Sequence, residues 1–504
     1  MNTTSTLTKT LTKKATNTNQ LVGSAREFVS SYNGDFKAAI DIINTFIELT
    51  VDLSNQIGLN CLNSSIPPSQ DKRKTKKIKP DCKVTKDGSP KKKQGGQSGH
   101  QGVTLELVDN PDETIKISVD TSTLPPDDYH DIGVERRQTT EVVITKIVRE
   151  YQAQVVINSK GKIFIASFPE GVTHKAQYGS SIKLNAVYMA IFQLIPYDRL
   201  QQHFHELYNV NISKGTLYNF QELAFKRLDR FEQAAKHALI NGNLIYADET
   251  GINVGGKRIW LHNTSNELWT LMVPHEKRGN KAMDEINILP HFEGVVSHDY
   301  WRAYFKYMQA KHSLCNAHHL RELLRAYEQD GQTWAQKMHQ FLTELNTEVI
   351  ANGDMLSSER QAKVHQQYQA LLKQAEIECP PPPTVSLEKH AKPKRGVVKR
   401  SKARNLLERL IKHPEDVLRF ITETLIPFTN NQGERDIRMT KIHQKISGCF
   451  RSMKGAEMFC RIRSYISTCQ KHGITVFAAL ESLFMHNTYP KFIQDVIDKM
   501  PAPE

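Results

Sequence analysis

The spacing of apolar residues first predicts a helix near the start of the chain. Four of them, Phe36, Ile40, Ile43 and Ile47, are separated by four and three residues, which places them on one face of an amphipathic helix. The same spacing is that of a coiled-coil seam, but polar residues occupy the next seam positions, so the pattern lasts about two heptads. We expect an amphipathic helix within residues 1–60, with an oligomerising coiled coil as the alternative.

A second pattern, of period two, indicates β-structure. Residues 142–168 alternate between apolar and polar side chains, and the sequence NSKGK at residues 158–162 interrupts them. Because alternation on both sides of a glycine-containing turn is typical of a β-hairpin, we expect a small β module within residues 103–175.

Residues 181–228 have the apolar periodicity of helices, with a short break at residues 209–213. Ser213 is placed to cap the helix that follows, since a serine oxygen accepts hydrogen bonds from the free amides of a helix start. Two helices about a short turn form either a helix-turn-helix that reads DNA through residues 214–225, or an ordinary helical hairpin.

The region from residue 243 to residue 319 has a different pattern. Short apolar runs and helical segments follow one another in the order β-β-β-α-β-α-β, which predicts an α/β sheet layer. After it the chain becomes helical and polar up to a proline run at residues 380–383, and a basic stretch precedes further helices at residues 405–425.

These patterns divide the chain into seven regions. They are the helical or coiled-coil start (1–60), a basic arm (61–102), the β module (103–175), a helical region (176–240), the α/β part of a core (241–319), a helical stretch with a proline-rich and basic linker (320–425) and a helical carboxy-terminal part (426–504).

Composition narrows the class of protein. Of the 504 residues, 67 are Lys or Arg and 54 are Asp or Glu, so the chain carries 67 − 54 = +13 charges with histidine neutral. Its 39% hydrophobic and 24% charged residues are typical of a folded globular protein and exclude a fibrous or wholly disordered chain. The longest apolar stretch, residues 186–195, is interrupted by Gln193 and is far shorter than the roughly 20 residues that a membrane span needs.

The amino terminus and the cysteines indicate a compartment. The first 20 residues are rich in Thr, Lys and Asn, without the apolar core of a signal peptide. The seven cysteines lack the density and pairing of a secreted disulfide framework. We therefore expect a cytoplasmic protein with reduced thiols and no membrane partner.

Much of the positive charge lies in the basic arm. Between residues 72 and 93 there are 11 Lys or Arg residues and only two acidic ones, so mutual repulsion keeps the segment disordered when it is alone. Such a density of charge gains strongly from counterion release on a phosphate backbone, which favours nucleic-acid contact over a solvated linker. The candidate phosphate-binding residues are Lys72, Arg73, Lys74, Lys76, Lys77, Lys91, Lys92 and Lys93.

Three acidic residues are candidates for a metal site. Asp248 follows the first predicted strand of the α/β region and Asp299 follows the fourth, and carboxylates at strand ends in an open α/β sheet can share a cation such as Mg²⁺. A third carboxylate is then expected nearby, and Glu434 is the candidate. The alternative for Glu434 is a capping box with Asn431 as N-cap, and turn residues are the alternative for the two aspartates.

Residues 315–319 (CNAHH) form a Cys/His cluster. They supply at most three ligands, whereas a structural zinc site requires four, so zinc is not predicted here. A Cys-His nucleophilic pair is conceivable, but a packed and hydrogen-bonded pair beside the acidic residues is the favoured interpretation.

Seven motifs, in this order, are similar to those of the insertion-sequence-66 family of bacterial DDE transposases. They are GGQSGHQG (95–102), ADETG (247–251), SHDYW (297–301), LCNAHHLREL (314–323), KARNLL (402–407), NNQGERDIRM (430–439) and the pair ISGCFRS (446–452) and RIRSYIS (461–467). The similarity runs from about residue 50 to residue 485.

The resemblance implies a ribonuclease-H-like catalytic core with a large helical insertion, in which Asp248, Asp299 and Glu434 are the catalytic and metal-binding acids. It implies Mg²⁺ or Mn²⁺, and cleavage of the element ends followed by attack of the released 3′-hydroxyl on target DNA. Cys315 and His318 match a CxxH signature with a structural role beside such a core.

The implied partner is double-stranded DNA, both element ends and target, bound by a homo-oligomer with accessory proteins encoded by the element, in the nucleoid. Four basic residues near Glu434 are candidates to bind flanking phosphates: Arg435, Arg438, Lys441 and Lys445. A DNA-binding protein that has lost catalysis and a ribonuclease-H-like nuclease are the alternatives.

One departure from the family concerns the β module, which in relatives carries paired cysteines. This chain has no cysteine between residues 83 and 314, so the module occupies a degenerate zinc-finger-like position and no zinc requirement is carried over.

Overall fold

The computed structural model of the protein describes residues 105–353, 355–382 and 400–501. The predicted amino-terminal helix and the basic arm, including Lys72, Arg73, Lys74, Lys76, Lys77, Lys91, Lys92 and Lys93, lie outside these residues. The described chain falls into a smaller unit, residues 105–174 and 202–212, and a larger unit that contains residues 175–201 and the described residues from 213 onwards.

The smaller unit contains the predicted hairpin. Strands β1 (Val155–Ile157) and β2 (Ile163–Ile165) pair antiparallel. The side chain of Asn158 accepts hydrogen bonds from the amides of Lys160 and Lys162, both at 2.9 Å, and Gly161 takes a positive φ of 76°. The hairpin and its turn are confirmed, but the strands are only three residues long.

Helices dominate residues 180–240. They are α1 (Ser180–Val187), α2 (Tyr197–Tyr208), α3 (Lys214–Arg227) and α4 (Asp229–Ile240), with a π-helical turn at Tyr188–Phe192. Ser213 is the N-cap of α3, and its Oγ accepts a hydrogen bond from the amide of Thr216 at 3.1 Å. The break and the cap were therefore predicted correctly.

The larger unit contains a five-stranded mixed sheet. Its strands are β3 (Leu244–Val254), β4 (Lys257–Ser265), β5 (Thr270–His275), β6 (Val295–His298) and β7 (Lys311–Leu314), in the spatial order β5-β4-β3-β6-β7. The first three strands form an antiparallel meander, and β6 and β7 run parallel to β3. This arrangement confirms the predicted α/β class.

Helical segments separate the last strands. Helix α5 (Asn280–Ile286) and a 3₁₀ turn (Leu289–His291) precede β6, and a 3₁₀ helix (Arg302–Lys306) takes the place of the second predicted α-helix. Parallel neighbours require such crossovers because their connection must return to the same end of the sheet.

A helical layer follows β7 without a loop. It comprises α6 (Asn316–Asp330), α7 (Thr333–Ala351), α8 (Ser358–Glu378), α9 (Lys402–Lys412) and α10 (Pro414–Leu418), followed by a 3₁₀ turn (Arg419–Ile421). Leu342, Tyr368 and Leu407 are fully buried in its apolar core, and the hydroxyl of Tyr368 donates to the carbonyl of Leu410 at 3.0 Å.

Four helices complete the larger unit. They are α11 (Asn431–Ser447), α12 (Met453–Lys471), α13 (Val476–Glu481) and α14 (Lys491–Lys499), with a π-helical turn at Ser482–His486. No helix in the described part of the chain is long and apolar enough to cross a membrane.

Helix α12 covers the open edge of the sheet. The amide of Met272 on β5 donates to Oγ of Ser464 at 2.9 Å, and the amide of Thr270 donates to Oγ1 of Thr468 at 3.0 Å. Edge-strand amides need partners or they become sites of aggregation, so these hydroxyls protect β5. Ser464 within the RIRSYIS segment, and Thr468 just after it, thus have a structural role in this chain.

Candidate active site

Strand register brings the two candidate aspartates together. Tyr246 on β3 is paired with Ser297 on β6, and Asp248 and Asp299 each follow these residues by two positions. A step of two residues along a strand returns the side chain to the same face of the sheet, and here the same step is taken along two neighbouring parallel strands. Both carboxylates therefore leave the sheet at the same place.

The prediction that Asp248 ends its strand was wrong. Strand β3 continues to Val254, and Asp248 is paired with Asn263 of β4 in the middle of it. What ends near Asp248 is the pairing with β6, which stops at Tyr246. The strand continues because its other edge still has β4 as a partner.

Glu434 reaches this place through the start of α11. The side chain of Asn430 donates a hydrogen bond to the carbonyl of Ala247, next to Asp248, at 3.0 Å. The side chain of Asn263 on β4 lies 3.4 Å from the carbonyl of Gly433, to which it donates. Two side-chain amides thus attach the first turn of α11 to the centre of the sheet.

The capping-box alternative for Glu434 is contradicted. Helix α11 begins at Asn431, so the N-cap is Asn430, and its side chain makes no capping hydrogen bond. The Glu434 carboxylate lies instead 3.7 Å from Nε2 of His318 and 3.8 Å from the guanidinium of Arg321, both on α6.

Several carboxylates of the site repel one another. Burial raises the pKa of Asp248 well above its usual range, and repulsion from the carboxylates of Glu249, Asp299 and Glu434 raises it further. Oε1 of Glu434 is buried without a hydrogen-bond partner among the described residues. Carboxylates that repel one another are a donor set that suits a hard divalent cation, so Asp248, Asp299 and Glu434 fit Mg²⁺ or Mn²⁺.

This repulsion predicts a pH-dependent stabilisation by Mg²⁺. The pKa of Asp248 is about 4 in the unfolded chain and is raised in the folded protein. The metal-free protein therefore loses stability as the pH rises from the pKa of the unfolded chain through the pKa of the folded protein. Mg²⁺ should therefore raise the midpoint of thermal unfolding more at about pH 8 than at about pH 5. In Asp248→Asn the metal-free midpoint at the higher pH should increase and the gain from Mg²⁺ should shrink; an equal gain at both pH values would contradict the expectation.

Glu249 is a neighbouring acid that the sequence analysis did not single out. Its side chain is 1% exposed and accepts hydrogen bonds from Nε and Nη2 of Arg278, at 2.9 and 2.6 Å, and from the hydroxyl of Tyr304 at 2.6 Å. Burial raises the pKa of Glu249 in spite of these donors. With its oxygens already occupied, Glu249 is a structural acid rather than a free ligand.

Cys315 and His318 lie at the start of α6, beside α11. Sγ of Cys315 accepts a hydrogen bond from the amide of Asn430 at 3.2 Å, and the amide of Asn316 donates to the carbonyl of Phe428 at 3.0 Å. Burial raises the pKa of the Cys315 thiol and lowers the pKa of the His318 imidazole, so both groups are neutral. Cys315 is packed and hydrogen-bonded beside the acidic residues as predicted, whereas Nδ1 of His318 is buried without a hydrogen-bond partner among the described residues.

The basic residues of α11 divide into two groups. Arg435, Arg438 and Lys445 are exposed, and their spacing of three and seven places them along one side of the helix. Within the described ranges none of the three forms an ion pair with a carboxylate. Lys441 is different, because its ammonium donates to the carbonyl of Gly251 on β3 at 2.6 Å.

Gly433 is required where α11 meets the sheet. A Cβ at this position would lie 2.9 Å from Oδ1 of Asn430, a side chain that is held by Ala247. We expect Gly433→Ala to lower the free energy of unfolding by about 1–3 kcal/mol, the usual cost of overpacking. The control is Gly215→Ala on α3, where the nearest atom is 3.7 Å away and where alanine should be neutral or stabilising by about 0.4–1 kcal/mol. Urea denaturation of both variants measures the difference, and equal midpoints would contradict the expectation.

Comparison with known proteins identifies the family. Residues 175–458, more than half of the 504, match the profile of the family described as transposase IS66 family. No curated protein matches the chain. The matched region contains the whole sheet, the helical layer and the three acids described above. The chain belongs to the IS66 family of transposases.

Proposed function

We propose that the protein is the transposase of an insertion sequence, which binds the element ends and catalyses metal-dependent DNA cleavage and strand transfer with Asp248, Asp299 and Glu434. The observation that carries the proposal is the register of β3 and β6 beside Asp248 and Asp299, together with the hydrogen bond from Asn430 to Ala247 that brings the start of the Glu434 helix to Asp248. These acids come from three distant parts of the chain, and their convergence costs electrostatic energy that a bound cation would offset.

Each residue has a definite part in this proposal. Asp248, Asp299 and Glu434 would hold Mg²⁺ or Mn²⁺, which would lower the pKa of an attacking water or 3′-hydroxyl and offset charge on the scissile phosphate. Asn430 holds the start of α11 against β3 and so fixes the position of Glu434. The amide of Trp301 donates to Oδ1 of Asp299 at 3.1 Å and orients that carboxylate.

DNA contact is proposed for the exposed side of α11. Arg435, Arg438 and Lys445 form a positive row that begins one residue after Glu434, where phosphates flanking the scissile bond would lie. Lys441 is proposed to position β3 through Gly251 rather than to bind DNA. The basic arm before the described residues remains a proposed second phosphate-binding segment, on the strength of its charge.

The wider architecture belongs to the same proposal. The mixed sheet, with one acid on β3 and another just after its parallel neighbour β6, supports a ribonuclease-H-like core. The helices between residues 316 and 418 support a helical insertion between β7 and α11. A homo-oligomer on DNA, accessory proteins and a location in the cytoplasm with the nucleoid follow from the proposed reaction.

The proposal is tested by incubating the protein with a duplex that carries the terminal repeat of its element, Mg²⁺ and a target plasmid. Cleavage at the repeat and joining of its 3′ end to the plasmid are expected. Binding without cleavage would support instead a DNA-binding protein that has lost catalysis, and cleavage without joining would support a nuclease.

A further inference from the structure

A second group of ligand atoms lies beside the three acids. Cys315, His318 and Glu434 each offer one ligand atom, and these atoms lie within 4.8 Å of one another. The group contains a thiol and an imidazole, which are softer ligands than the oxygens of the proposed magnesium site. It shares one member, Glu434, with that site.

The spacing of these atoms is close to that of a zinc site. Zinc bonds of about 2.0–2.3 Å in a tetrahedron place the ligand atoms roughly 3.3–3.8 Å apart. Nε2 of His318 is already 3.7 Å from Oε1 of Glu434, and closing the remaining distances requires about 1 Å of side-chain movement.

One candidate ligand atom of the group lacks a hydrogen-bond partner among the described residues. Oε1 of Glu434, which lies 3.7 Å from Nε2 of His318, is buried and unpaired. Buried polar atoms without partners are costly, and a missing ion is one of the usual reasons for them. Arg321 opposes a cation here, since its guanidinium lies 3.8 Å from the same Glu434 oxygen.

The backbone holds the ligands in place before any ion binds. Asn430 donates its amide to Sγ of Cys315, and the side chain of Asn316 donates to the carbonyl of Val417 at 3.0 Å. The start of α6 is thereby fixed against the start of α11. A metal-bound thiolate still accepts the Asn430 hydrogen bond, so binding leaves this arrangement intact.

We propose that Cys315, His318 and Glu434 form a second cation site that takes Zn²⁺ or a similar borderline-soft ion and withdraws Glu434 from the set of acids. Three protein ligands and one open position suit zinc, and Mg²⁺ disfavours the sulfur and nitrogen donors. Sequence reasoning excluded zinc because it counted ligands within residues 315–319 only. The third ligand comes from residue 434, which the fold brings to the cluster.

Titration of the full chain with Co²⁺, a spectroscopic substitute for zinc, tests the site directly. A thiolate-to-cobalt charge-transfer band is expected in the wild-type protein and should be lost in Cys315→Ser. His318→Gln and Glu434→Gln should each weaken Co²⁺ binding by at least about tenfold. Cys449→Ser, which removes a partly exposed thiol outside the cluster, is the matched control and should bind as the wild type does.

A band that survives in Cys315→Ser, or wild-type affinity in both ligand variants, would overturn the proposal. If Cys315→Ser fails to fold, His318→Gln decides, because its ring is at the partly exposed rim.

A second experiment tests the competition for Glu434, which rests on the proposed function. Zn²⁺ should inhibit Mg²⁺-dependent cleavage by the wild-type protein. In Cys315→Ser this inhibition, measured against the zinc-free rate of the same variant, should be at least about tenfold weaker. Cobalt binding without any cleavage would refute the proposed function and leave the cation site standing, whereas cleavage without cobalt binding would do the reverse.

Discussion

Asp299→Asn should reduce cleavage and strand transfer by at least about a thousandfold while DNA binding stays within about twofold. The amide has the shape of the carboxylate but lacks the charge that holds a divalent cation. It also keeps an oxygen that can accept the hydrogen bond from the amide of Trp301, so the local backbone should be preserved. Single-turnover cleavage of an element-end duplex and a gel-shift titration of the same duplex measure the two quantities.

The matched control for this substitution is Asp498→Asn. Asp498 is an exposed aspartate on α14 that accepts a hydrogen bond from Gln494 at 2.7 Å. The cleavage rate of the Asp498→Asn variant should equal that of the wild type. A parallel loss of binding and cleavage in Asp299→Asn would mean that Asp299 is a structural residue and not a metal ligand.

Arg278→Met should destabilise the fold by about 3 kcal/mol, because it removes the cation that faces the buried carboxylate of Glu249. Breaking a buried ion pair costs about 3–5 kcal/mol, and the lower end applies because the Arg278 side chain is 38% exposed. The guanidinium also lies 4.7 Å from the ring of Trp260 and 4.3 Å from that of Trp301, so aromatic contacts are lost as well.

Two further variants separate the ion pair from the aromatic contacts. The guanidinium of Arg258 also lies 4.7 Å from the ring of Trp260, but it pairs with no carboxylate in the described chain. Arg258→Met should therefore cost well under 1 kcal/mol if the ion pair dominates. In the double variant Glu249→Gln/Arg278→Met most of the lost stability should return, since no unpaired charge stays buried. Guanidinium denaturation measures all four proteins. Equal destabilisation by Arg278→Met and Arg258→Met would show that the ion pair contributes little.

Elements that depend on local pattern were predictable from the sequence. The strands near Asp248 and Asp299 begin with short apolar runs, and the break before α3 is marked by a capping serine. Strand length in the β module was not predictable. The alternation begins at residue 142, yet Val142 and Val143 are 84% and 85% exposed, and without a packing partner in the described chain they stay outside regular structure.

The active-site residues also differ in how well the sequence alone predicts them. Each of the two aspartates comes just after a short apolar run and could be recognised. Glu434 stands 434 − 299 = 135 residues after Asp299, and its local spacing favours a helix cap. Its placement depends on the contacts of Asn430 and Gly433 with the sheet. The partners of Glu249 are 29 and 55 residues away, a pairing that no local pattern contains.

Whether Asp248, Asp299 and Glu434 act as one unit is the central question, and a double-mutant cycle on cleavage of the element-end duplex answers it most directly. Residues that hold the same ion are not additive, since removing the first already removes the ion's contribution. Asp299→Asn and Glu434→Gln should each reduce the cleavage rate by at least about a thousandfold, and the double variant should be no slower than the slower single variant. A Glu434→Gln variant with the wild-type rate, or losses that multiply in the double variant, would contradict the account.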